Sequence, residues 1–124
     1  MSNPSPGLKR DPGHAITITP YPGTVTVKFG EVVVASTRNA LELKEATYPP
    51  VLYVPFADIY FEHLLASDTK TRCPFKGEAS YWSVTGQGEG EPDVMWTYAH
   101  PYDEVARIKD HGAFYPHKVT IDAG

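Results

Sequence analysis

One stretch of the chain, TRCPFKGEASYWSV at 71–84, gathers the groups best suited to chemistry, including the only cysteine. Cys73 precedes Pro74, which biases it to extended backbone. Gly77 then releases the chain from a tight turn. A thiol at the start of such a turn meets free backbone amides, and Lys76 three residues on can bring a positive charge to it. Both effects favour the thiolate, the form that acts as nucleophile or redox centre. Two other roles suit the same position. Cys73 can be a small buried apolar group, with Lys76 a solvated turn residue, or a thiol that lines a pocket without reacting. Phe75, Tyr81, Trp82, Trp96 and Tyr98 cluster around the turn. They are expected as core and cross-strand pairs, or as the aromatic wall of a small-molecule pocket.

The histidines are His14, His63, His100, His111 and His117. No two stand at the i,i+4 spacing of a helical zinc site, and no second cysteine can join them, so no metal site is expected. His14 lies at the edge of the first strand and is the candidate to move a proton. His63 reads as a core histidine, and His111 as a helix C-terminal cation. GQGEG at 86–90 leads into a strand rather than a helix and carries two glutamates, so it is a hairpin tip and not a phosphate loop. The aspartates contain no Asp-x-Asp pair of the kind that would hold magnesium for nucleotidyl transfer.

The elements that must position these groups are mostly strands. Residues 1–13 are rich in proline and glycine and read as a flexible or loosely docked tail before a single domain, residues 14–124. Alternation predicts strands at 15–19 and 24–29, the latter with Val25, Val27 and Phe29 on one face, and a hairpin over 24–36. ALELKEA at 40–46 fits helix or strand. Prolines bound a short strand at 51–54, which is also a candidate sheet edge for binding a partner. A strand is expected at 59–65, a polar loop at 66–72, and a hairpin pairing 78–84 with 93–99. One short helix over 101–112 has Pro101, Asp103 and Glu104 at its start and Gly112 at its stop. Two strands close the chain.

The chain has 124 residues and a net charge of −4, with its basic residues scattered, so a nucleic-acid groove is not expected. No apolar run reaches the length of a membrane span, no signal-peptide h-region stands at the start, and a lone cysteine suits a reducing compartment. The expected location is the cytoplasm.

Taken together, EVVVASTRNALELKEATYPPVLYVPFAD, LLASDTKTRCPFKGEASYWSV and WTYAHPYDEVARIKDHGAFYPHKV resemble the domain-of-unknown-function 427 family, which also carries a nucleotidyltransferase-like label. The resemblance runs from about His14 to Val119. It implies a β-tent fold of antiparallel sheets and hairpins, without the four-cysteine zinc clamp of other β-tent proteins, since this chain has one cysteine. Position by position it points to Arg38, Glu45, Tyr53, Cys73, Lys76, Tyr81 and Trp96, with His14 beside them. It implies a cleft in which Cys73, Lys76 and His14 act and in which Arg38, Glu45, Tyr53, Tyr81 and Trp96 hold a small molecule. Glu45 can instead be an ion-pair partner of Arg38. The cofactor is left unspecified. The competing readings are a protein-interaction domain and a nucleotidyltransferase.

Overall fold

The computed structural model describes residues 2–86 and 89–124. After a short helix α1 (Pro6–Arg10), ten strands follow: β1 (Ile16–Pro20), β2 (Val25–Phe29), β3 (Val32–Thr37), β4 (Leu41–Glu45), β5 (Val51–Pro55), β6 (Leu64–Cys73), β7 (Gly77–Gly86), β8 (Glu89–Tyr98), β9 (His111–Phe114) and β10 (Thr120–Ala123). The fold is mostly β, in two antiparallel sheets. No helix among the described residues is long and apolar enough to cross a membrane.

The small sheet runs β10-β2-β3, and the large one β1-β4-β5-β9-β8-β7-β6. Val25, Val27, Val34 and Ala35 of the small sheet pack on Val54, Val84, Val94 and Phe114 of the large one, and this forms the main core. The other face of the large sheet buries Leu43, Tyr53, Tyr81 and Tyr98 under Val105 and Ile108. Trp82 packs on the first core and Tyr81 in the second, as the two-residue period of a strand requires.

The large sheet is nearly two sheets. Its halves, β1-β4-β5 and β9-β8-β7-β6, meet through two residue pairs, Val54 with Gly112 and Pro55 with His111. Beyond them β5 and β9 are not paired with each other, and a cleft opens between Val51 and Leu52 on one side and Phe114 and Pro116 on the other. This is the tent-like opening that positions the site.

Several elements differ from the expectation. Residues 66–72 are not a loop but the middle of β6, an edge strand with nearly all its side chains exposed. With neither face buried, its sequence has no reason to alternate. Phe61–His63 is a single 3-10 turn, and β6 begins after it at Leu64. The C-terminal helix is a short 3-10 segment, Asp103–Ile108, kinked at Val105. Three residues per turn suits the burial of Val105 and Ile108, three positions apart. The proline-bounded β5 is no sheet edge, because β4 and β9 flank it. The hairpin tip expected within 85–92 includes residues 87 and 88, outside the described residues; the strands pair up to Gly86 with Glu89.

The N-terminal segment is docked. Ser5 caps α1 by accepting from the Leu8 amide, and its hydroxyl donates to the Pro74 carbonyl. The Gly7 amide donates to the same carbonyl at 2.8 Å. Asn3 exchanges hydrogen bonds with Asp103, and the Ser5 amide donates to Glu104. Two acidic side chains at the start of the 3-10 segment thus hold the segment across the 73–77 turn.

That turn is closed by pairing of Cys73 with Gly77. Gly77 has φ +127°, and a β-carbon there would stand 3.2 Å from the His100 carbonyl oxygen. Gly77→Ala should therefore cost about 1–3 kcal/mol in urea unfolding. A stability equal to the parent would show that the turn tolerates another backbone path.

A candidate ligand cleft floored by a buried ion-pair array

Glu45, at the end of β4, is the centre of the site. Its Oε1 accepts from the Lys76 ammonium at 2.5 Å, and its Oε2 accepts from His14 Nε2 at 2.7 Å. The three side chains are only 11–13 % exposed. With the carboxylate ionised, Nε2 must carry a proton to make this bond. Phe75 stacks on the imidazole, with centroids 3.7 Å apart and planes 14° apart. Burial pushes the Glu45 carboxyl up, but the hydrogen bonds and charges of Lys76 and His14 outweigh it and hold the group below its ordinary range.

Each member comes from a different element. Lys76 is in the turn between β6 and β7, whose Lys76 carbonyl accepts from the Tyr102 amide. His14 is carried by the docked N-terminal segment, and Glu45 by the opposite half of the large sheet. The pairs Lys76–Glu45 and His14–Glu45 are each separated by 31 residues in sequence, so no local spacing announces them. Lys76 is neither solvated nor shown on the thiol. Glu45 pairs with Lys76 and His14, not with Arg38.

Above the array lies the cleft between β5 and β9, with a volume of about 710 Å³. Its walls are chiefly apolar: Pro49, Pro50, Leu52, Phe114, Pro116 and Ile121. Cys73, a free half-buried thiol, is on the wall with Phe75 and Trp96. A second, smaller chamber of about 220 Å³ shares Glu45, Val51, Lys76 and Trp96 with the cleft and adds Tyr53, Tyr81, Tyr98 and Tyr115. Seven of the eight residues singled out from the sequence therefore converge: His14, Glu45, Tyr53, Cys73, Lys76, Tyr81 and Trp96. Arg38 does not. It is exposed just past β3, in a separate groove with Thr24, Thr37 and Asp58.

The sequence reading missed Tyr115, and it left Tyr98 in the aromatic cluster without a role. Pairing of β8 with β9, Trp96 against Ala113, is the feature that brings Tyr115 beside them. Trp96 and Tyr115 have ring centroids 4.5 Å apart.

The depressed Glu45 carboxyl has a sign that can be checked. Its folded value lies below the ordinary 4.5, so its stabilising contribution is present above that pH and lost as pH falls through the folded value. Glu45→Gln, which leaves Lys76 buried without a counter-charge, should lose on the order of 2 kcal/mol near neutral pH. The gap from the parent should shrink in acid. Urea unfolding across pH measures both, and a gap that stays constant would remove the ionised carboxylate from this account.

Among the described residues no group of three or more His, Cys, Asp or Glu converges as a metal centre would require. No curated protein matches the chain. Residues 17–123 match the family model described as Domain of unknown function (DUF427). That match spans most of the 124 residues, and the chain belongs to the DUF427 family.

Proposed function

We propose that the domain binds a small molecule in the cleft between the two halves of the large sheet. The observation that carries this reading is the coincidence of a cavity of about 710 Å³ with apolar walls and a buried His14–Glu45–Lys76 array at its polar end. Ligand sites are typically of this size and this mixture: mostly apolar lining, with a few fixed polar groups that set orientation. Glu45 fixes the orientation of the His14 ring as a carboxylate does in an acid–base pair. Cys73 on the same wall gives the enzymatic form of the proposal: the thiol adds to a carbonyl carbon of the ligand, the C=O π bond breaks as the S–C bond forms, and His14 carries the thiol proton to the carbonyl oxygen. A reducing, cytoplasmic setting fits a free thiol there.

Two other readings gain less. An interaction domain acting through β5 loses that edge, because β5 is interior. Nucleotidyl transfer rests on the family's label and has no carboxylate cluster behind it among the described residues.

The uncharged naphthyl ketone prodan is a suitable probe. It should bind saturably to the native protein, with a blue-shifted emission, and slow the modification of Cys73 by iodoacetamide. Ile121→Trp, which fills the cleft from β10, should abolish both effects. Absence of saturable binding, or unchanged binding by a folded Ile121→Trp variant, would remove the proposal. Once a ligand that turns over is known, Cys73→Ser should stop turnover and spare affinity if the thiol is the nucleophile.

A further inference from the structure

We infer that the inner chamber holds the carbonyl oxygen of an uncharged ligand group, with the phenol hydroxyls of Tyr98 and its neighbours as hydrogen-bond donors. This rests on the reading of the outer cleft as a ligand site and names what that ligand must present at its buried end.

The chamber is small, about 220 Å³, and hydroxyl-rich, with four tyrosines on its wall. The Tyr81 hydroxyl is already engaged with Thr71 Oγ1 at 2.8 Å. Tyr98 differs. It is only 6 % exposed and lines the chamber, and its hydroxyl makes no side-chain hydrogen bond among the described residues. The hydroxyl is not among the fully buried atoms left without a partner, so it keeps contact with open space. A phenol on so buried a residue ordinarily finds a protein partner, and one that opens onto a cavity instead marks where a ligand atom belongs.

Charge then decides the kind of atom. The ionised Glu45 and the Lys76 ammonium both line the chamber and neutralise each other. Both carboxylate oxygens are already taken, Oε1 by Lys76 and Oε2 by His14, so a charged head would have to break into this array, whereas a neutral one leaves it intact. The tyrosines respond to the same surroundings. Burial first, and the Glu45 charge with it, pushes Tyr53 and Tyr98 well above the ordinary phenol value. Burial and the neighbouring Tyr81 push Tyr115 up to about 12. All three therefore keep their protons and remain donors. An amide, ketone or ester oxygen accepts from them and brings no net charge. The remainder of such a molecule, apolar and flat enough to pass Trp96 and Val51, occupies the outer cleft.

The test is a matched series on one body: phenylbutanamide, phenylbutanoate, phenylbutylamine and butylbenzene, each competing with prodan. The amide should be the tightest competitor. Tyr98→Phe should weaken the amide roughly tenfold, the usual size for one lost hydrogen bond, and leave butylbenzene unchanged. Its thermal stability should stay close to the parent's, since no protein hydrogen bond is removed. Tyr115→Phe, at a half-buried position, provides a second variant with the same expected direction. If the carboxylate or the amine matches the amide, or if Tyr98→Phe leaves the amide unaffected while butylbenzene still displaces prodan, the inference falls and the cleft reading stands. If no member of the series displaces prodan, the inference falls; only the loss of saturable, Ile121-dependent prodan binding removes the cleft reading as well.

Discussion

One buried ion pair spans the opening in the large sheet, and the site is organised around it. Two residue pairs join the halves, and beyond them backbone hydrogen bonding gives way to a cleft. Lys76 reaches from the half that contains β6 and β7 to Glu45 in the half that contains β4. Such a pair forfeits hydration on both sides, and it is tolerable only when the remaining lone pairs and protons find partners. His14 supplies the second one for the carboxylate. The array is thus a tie across a gap as well as the polar end of a cavity, and a substitution in it acts on both.

Its precision depends on a turn that would be unrestrained if left to itself. The 73–77 turn is gripped at two carbonyls: Pro74 accepts from Ser5 and Gly7, and Lys76 accepts from Tyr102. Gly7 has to be glycine for that approach, because a β-carbon would lie 2.7 Å from both the Phe75 ring and the Pro74 oxygen. The same docking sets Phe75 under the His14 ring. Three loops hold the site, and each is fixed by hydrogen bonds to another.

Alternation revealed β1 and β2, and the loop between two strand-like runs revealed the paired hairpin β7–β8, which carries Tyr81 and Trp96 and buries side chains on both faces. It was silent for β6, whose two faces are both wet, and ambiguous for β4, where Leu41 and Leu43 fit either period. Lys76 shows the limit for single residues. In sequence it is a lysine in a turn, and only an acid 31 positions earlier, on a strand that folds across from it, makes it a buried cation. Arg38 shows the opposite error: the family resemblance grouped it with the others, but the end of β3 places it in another groove. Seven of the eight residues singled out line the two cavities. Which of them meet was decided by sheet order, which no local pattern encodes.

The seam between β5 and β9 also has a kinetic meaning. The hairpins β2–β3, β6–β7 and β7–β8 join neighbours along the chain, so their loop-closure entropy is small. The seam must bring Val54 to Gly112, and the N-terminal segment must find Asp103, 100 residues away. Contacts of that separation form late and slow the whole reaction. The ion-pair array draws on both, so its closure carries a large entropic cost. The seam is also thin: two residue pairs join β5 to β9, against seven at each of the β6–β7 and β7–β8 junctions. In this fold, the opening to the interior lies at the large sheet's most distant pairing in sequence.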